Sequence, residues 1–118
     1  MTCVNQKVGW GITEEGSVSK VPKKAFVRFA SDGTCFKEAP NLSEIFSETS
    51  FCAKGVDGVG PCLGDSGGGL YLKSRGRWIV VGIVSSGVLK NGDCDANSHS
   101  LFTKVIKYHD WIQSTMRL

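Results

Sequence analysis

Cys62-Leu63-Gly64-Asp65-Ser66-Gly67-Gly68 is the stretch whose residue types could do chemistry. It sets one serine among glycines, directly after an aspartate and four residues past a cysteine. A serine hydroxyl is a poor nucleophile until a base takes its proton and fixed donors receive the charge that attack creates. Glycines lack Cβ, so the backbone N–H groups beside them can turn inward toward a reacting carbonyl oxygen. Gly64 and Ser66 are the natural donors of such an oxyanion hole, with Ser66 as nucleophile. Taken alone, the stretch also fits an ordinary glycine-rich turn. It matches a G-x-S-x-G elbow too, but that device needs a helix after the serine, and Gly67-Gly68-Gly69 cannot open a stable one.

Three further landmarks occur in order around this stretch: Gly9-Trp10-Gly11, Gly82-Ile83-Val84-Ser85-Ser86-Gly87, and Phe102-Thr103-Lys104-Val105 followed by Tyr108 and Trp111-Ile112. Together with Cys62–Gly68 they make the chain, from about Gly9 to Met116, resemble the second half of the chymotrypsin/trypsin serine proteases. The resemblance implies an all-β fold, a single six-stranded Greek-key barrel closed off by a C-terminal α-helix, occupying 1–118 as one domain. It implies a hydrolase, a serine-type endopeptidase working through an acyl-enzyme, with a polypeptide substrate and no cofactor. In this family the histidine and aspartate that activate the serine lie in a first barrel. The chain begins eight residues before Gly9, so it is expected to be a fragment of a longer, zymogen-type parent, inactive by itself and partnered by that missing N-terminal barrel. His99 and His109 both follow Ser66, match neither role, and are expected at the surface.

The resemblance assigns further residues. Asp65 takes the position that pairs with an amino group freed by activation cleavage. Burying its carboxylate otherwise costs free energy, so the loop is expected to relax away from it. Cys35 is implied to pair with Cys52, and Cys62 with Cys94, bridges of roughly 3 and 3.7 kcal/mol in the chain-entropy picture. Leu72 stands near the position where many relatives carry a partner for the remaining Cys3, leaving that thiol free, intermolecular or bonded to the absent half. Gly60 falls at the floor of the substrate pocket, with Gly87 and Ser100 on its walls and Ser85, Ser86 and Gly87 along the substrate backbone. A glycine floor offers no carboxylate to a buried basic side chain, so the pocket suits an apolar one. Ser86 replaces a common aromatic, Gly69 a common proline, and the segment between Gly87 and Cys94 is longer than usual. Asp93 or Asp95 offers a charge at the rim.

Composition agrees with a small globular domain. The 118 residues are 41% hydrophobic, and 14 Lys plus Arg against 11 Asp plus Glu leave a net charge of +3. So mild a balance points to neither nucleic acid nor a membrane surface as partner. Five cysteines in so short a chain indicate an oxidising, extracellular setting. No Cys-x-x-Cys pair or Cys/His cluster suggests a metal. Met1–Gln6 has no signal-peptide character, which is a further reason to expect a longer secreted parent. The longest apolar run, Trp78–Val84, is strand length rather than membrane length. Asn41-Leu42-Ser43 is a possible N-glycosylation sequon.

The elements that must position Ser66 are short. Strand-like segments lie near Gln6–Trp10, Ala25–Phe29, Ser50–Lys54, Gly69–Leu72, Trp78–Ser85 and Ser98–Lys104, separated by turn-rich stretches. Ser31-Asp32 can start a short helix through Cys35, and Val105–Thr115 places Val105, Tyr108, Trp111 and Ile112 on one expected packing face. Lys20, Lys23 and Lys24 read as a solvated loop. Two other functions stay open: a protease homologue without activity that serves as a binding or regulatory module, and a short product acting as an interaction protein.

Overall fold

The computed structural model describes residues 4–9, 23–56, 65–87, 89–90, 93–94 and 99–117. Strand β1 is Val4–Gly9 and β2 is Lys23–Ala30. Helix α1, Asp32–Glu38, and a 3-10 turn, Pro40–Glu44, lead to β3, Ser50–Gly55. Strands β4, Gly69–Ser74, and β5, Arg77–Gly87, form a hairpin. Two-residue strands β6, Leu89–Lys90, and β7, Asp93–Cys94, pair with each other. Strand β8, His99–Lys104, runs into a 3-10 turn, Val105–Tyr108, and helix α2, His109–Thr115.

Among the described residues, β1, β2, β3, β8, β5 and β4 close in that order into an antiparallel barrel, β4 returning to β1 through Gln6↔Tyr71 and Lys7↔Leu70. The alternation expected of half-buried strands is plain in β2, where Ala25 and Val27 point inward and Lys24, Phe26 and Arg28 outward. Lys23 and Lys24 thus belong to a strand, not to the solvated loop that their charge suggested, because Lys24 uses an outward position. Val27, Ala53, Leu70, Val84 and Phe102 form the barrel core, with Phe51 and Val81 packed against it. The Phe51 ring stacks on Phe102 at 5.3 Å between centroids and meets the edge of Phe29 at 5.2 Å.

A second apolar cluster lies outside the barrel wall. Cys35, Ala39 and Leu42 from α1 and the turn after it pack with Cys52 and Leu101. Ser31 caps α1, its Oγ accepting the Thr34 N–H at 3.2 Å, and the helix continues past Cys35 to Glu38. The Cys35–Cys52 disulfide is formed and pins α1 to β3. Strand β8 is therefore covered on both sides: Phe102 reaches the barrel core and Leu101 the α1 cluster, so His99 through Phe102 are all buried.

The C-terminal segment departs from expectation. Val105–Tyr108 is a 3-10 turn, not the first turn of the helix. Tyr108 is 41% exposed, Trp111 66% and Ile106 74%, whereas Val105 and Ile112 are half-buried. The expected packing face exists as a pattern, but the described chain covers only part of it.

Candidate active site

Ser66 sits at the apex of a tight turn. The Gly68 N–H donates to the Asp65 carbonyl at 2.9 Å, and Gly67 has φ +86° at the third position. A turn of that kind requires positive φ there, which a side-chain-bearing residue resists. The turn is clipped to the barrel by two more bonds: the Gly67 N–H donates to the Val84 carbonyl at 2.8 Å, and the Val84 N–H to the Gly68 carbonyl at 2.9 Å. The Ser66 side chain is left exposed while its neighbour Asp65 is only 5% exposed. Asp65 has a partner. A loop relaxed away from Asp65 was expected; in this structure the residue stays buried within the turn.

Strand β5 carries the turn at Val84 and then runs directly into the residues implied to hold substrate. The β5–β8 register shifts between Val84 and Ser86, which leaves Ser85 as an exposed bulge residue next to Val84, where the Ser66 turn is bonded. Ser86 is half-buried. Gly87 lies opposite Ser100, and a Cβ on Gly87 would stand 3.4 Å from Ser100 Oγ. Ser85, Ser86, Gly87 and Ser100 thus lie along one strand pair, and the Ser66 turn is bonded to the same strand at Val84. Gly60, Gly64, Cys62 and Asp95 lie outside the described residues; Asp93 and Cys94 are placed by backbone alone in β7. Asn41 is exposed in the 3-10 turn Pro40–Glu44, where the Ser43 hydroxyl donates to the Pro40 carbonyl at 2.7 Å.

The histidines divide. His109 is exposed at the start of α2, Nδ1 3.5 Å from Asp110 Oδ1. His99 is buried, its side chain 3% exposed, which corrects the surface position expected for it. It shares the outward face of β8 with Leu101, and α1 covers that face. Its Nδ1 lies 3.4 Å from Glu38 Oε2 without a hydrogen bond, and burial holds its pKa below the ordinary 6.5, against an opposing pull from Glu38. Sequence reasoning missed this cluster. The available signal was the Cys35–Cys52 pairing, which forces α1 down over β3 and its neighbour β8. Among the described residues no group of three or more His, Cys, Asp or Glu could hold a metal, and no helix is long and apolar enough to cross a membrane.

Comparison with known proteins agrees with this geometry. The family model described as Trypsin matches residues 3–112. The chain is 32% identical over 108 residues to CLIP domain-containing serine protease B15 of Anopheles gambiae, covering 92% of this chain and 29% of that protein. It is 36% identical over 110 residues to phenoloxidase-activating enzyme 1 of Spodoptera litura, covering 92% of this chain and 28% of that one. A solved HL collagenase structure superposes with a TM-score of 0.76 at 26% identity, covering 96% of this chain and 46% of the collagenase chain. The chain thus spans less than a third of the curated relatives' length and about half of the collagenase.

Proposed function

Because this chain belongs to the trypsin family of serine proteases, we propose that it is the nucleophile-bearing barrel of an extracellular serine endopeptidase. The observation that carries the reading is the exposed Ser66 on a glycine turn bonded to β5 at Val84, three residues before Gly87, which lies opposite Ser100. In this reading Ser66 Oγ attacks the substrate carbonyl and forms an acyl-enzyme, and the Gly64 and Ser66 N–H groups receive the oxyanion. Asp65 is the residue that activation would fix through a freed amino group. The barrel has the Greek-key connectivity of the family's second half.

The base must come from elsewhere. His99 is buried behind α1, and His109 sits at the exposed start of α2, so neither is offered as the proton acceptor. We assign that role to a histidine, oriented by an aspartate, in a first barrel of the same parent protein. Ile83 is exposed on the strand that holds the nucleophile turn, and Trp111, Tyr108 and Ile106 are exposed beyond β8. Exposed large apolar side chains of this kind suit burial against a partner. The formed Cys35–Cys52 disulfide supports an extracellular site of action, with Cys62–Cys94 as a second bridge and Asn41 as an exposed glycan acceptor.

Gly60, Gly87 and Ser100 make the pocket neutral. An apolar side chain gains about 1.5–3 kcal/mol on burial there. A Lys or Arg without a counter-ion costs several kcal/mol instead. The test is a peptide library digested by the activated parent chain. Cleavage after Leu, Met, Phe or smaller apolar residues is expected, with Gly60→Asp shifting preference toward basic ones. Dominant cleavage after Arg or Lys in the unaltered protein refutes the pocket assignment. A parent that binds peptides without cutting them is the binding-module alternative.

A further inference from the structure

An open cleft of about 490 Å³ is lined by α1, β2, β3 and β8, and each contributes a titratable group: Glu38 from α1, Arg28 from β2, Lys54 from β3 and His99 from β8. Glu38 is the shared member. Its Oε2 lies 3.9 Å from Lys54 Nζ and 3.4 Å from His99 Nδ1. His99 and Lys54 are register partners across β3 and β8. His99 Nδ1 is the one buried side-chain polar atom among the described residues that lacks a hydrogen bond.

We propose that Glu38 is a pH-dependent clasp, shared between Lys54 and His99 at neutral pH and drawn onto His99 in mild acid, so that α1 becomes tied to the strand that carries the pocket wall. Neutral imidazole has one N–H, whereas the imidazolium has two, so on protonation Nδ1 becomes a donor whichever tautomer preceded it. A charge-assisted N–H···O bond closes to about 2.7–2.9 Å, shorter than the present separation. Little has to move: the Cys35–Cys52 disulfide already fixes the α1 backbone one turn earlier, and Glu38 and Lys54 are both about half exposed. Among the described groups around the cleft, Arg28 and Lys54 repel the imidazolium and Glu38 is the one anionic side chain. Burial and Lys54 oppose the proton, which sets the transition on the acid side of the ordinary histidine value.

The clasp reaches the pocket through one peptide unit. Ser100 follows His99, is buried, and has its Oγ against Gly87. This link rests on the assignment of Gly87 and Ser100 as pocket walls; the clasp itself does not.

The experiment is a pH titration of the isotopically labelled full chain by NMR, reading the His99 ring and the Ser100 and Gly87 amides. The His109→Gln variant identifies the His99 signals. The His99 midpoint is expected below that of the unfolded chain, to fall further in Glu38→Gln, and to rise in Lys54→Met. The Lys54 side-chain signals should change at the same midpoint in the unaltered protein and not in Glu38→Gln. A His99 midpoint unmoved by either substitution overturns the clasp. Amides of Ser100 and Gly87 that ignore the His99 midpoint overturn the link to the pocket, and leave the pocket assignment to its own cleavage test.

Discussion

Gly82→Ala is the substitution whose cost can be worked most directly from the structure. Gly82 is buried in β5, paired with Leu70 on one side and Lys104 on the other, so its backbone is held in both ladders. A Cβ there would lie 2.7 Å from Phe51 Cζ, 2.9 Å from Phe51 Cε1 and 3.4 Å from Phe102 Cβ. The Phe51 ring cannot simply retreat, because it is stacked on Phe102 and abuts Phe29. Overpacking of this kind costs about 1–3 kcal/mol. Replacing glycine returns about 0.4–1 kcal/mol through the unfolded chain. The balance is a loss of about 1–2 kcal/mol, measured as a reduced urea midpoint with the disulfide intact. Phe51→Leu should cost stability alone yet relieve part of the Gly82→Ala penalty, so the pair is non-additive. Gly69→Ala is the contrast. Its Cβ would meet Tyr71 Oη at 2.5 Å, the far end of a half-buried side chain that can swing aside, so a smaller loss is expected. A Gly82→Ala protein as stable as the original, or an additive double substitution, refutes the packing described for the barrel core.

Two other outcomes concern stability. Removing the Cys35–Cys52 bridge with paired alanines should lower stability by about 3 kcal/mol, seen as a lower denaturation midpoint, and should loosen α1 in amide hydrogen exchange before the barrel strands. Burial lowers the His99 pKa, so on acidification the unfolded chain takes up this proton first; the stability His99 contributes is complete above the ordinary 6.5 and is lost as pH falls through that value toward the lower folded one, a slope that His99→Gln should flatten.

The barrel strands were legible as short β-like segments between turn-rich stretches, although a clean two-residue alternation is plain only in some of them, such as β2. Their observed ends lie within two residues of the expected ones, as hydrogen-bonded ends commonly do. The turn at Ser66 was legible for a local reason as well: Asp65-Ser66-Gly67-Gly68 encodes its own geometry, with glycine where φ must be positive. His99 was not legible. Polar residues in a strand are read as outward-facing, and nothing local shows that α1 covers the outward side of β8. The burial of Asp65 was likewise not legible, since exposure is set by the whole fold and not by neighbours in sequence. Trp111 and Tyr108 failed in the opposite sense: an apolar stripe states what a helix can bury, not whether the described chain supplies the cover.

Fluorophosphonate labelling measures the central proposal most directly, because the probe reports a serine hydroxyl that is activated and faces a formed oxyanion hole. It should be applied in parallel to the 118-residue chain and to the activated full-length parent, with Ser66→Ala as control. Stoichiometric labelling of Ser66 in the parent is expected, with none in the 118-residue chain and none in Ser66→Ala. Labelling of Ser66 in the 118-residue chain contradicts the assignment of the base to a first barrel. A correctly processed parent that stays unlabelled contradicts the assignment of Ser66 as a working nucleophile.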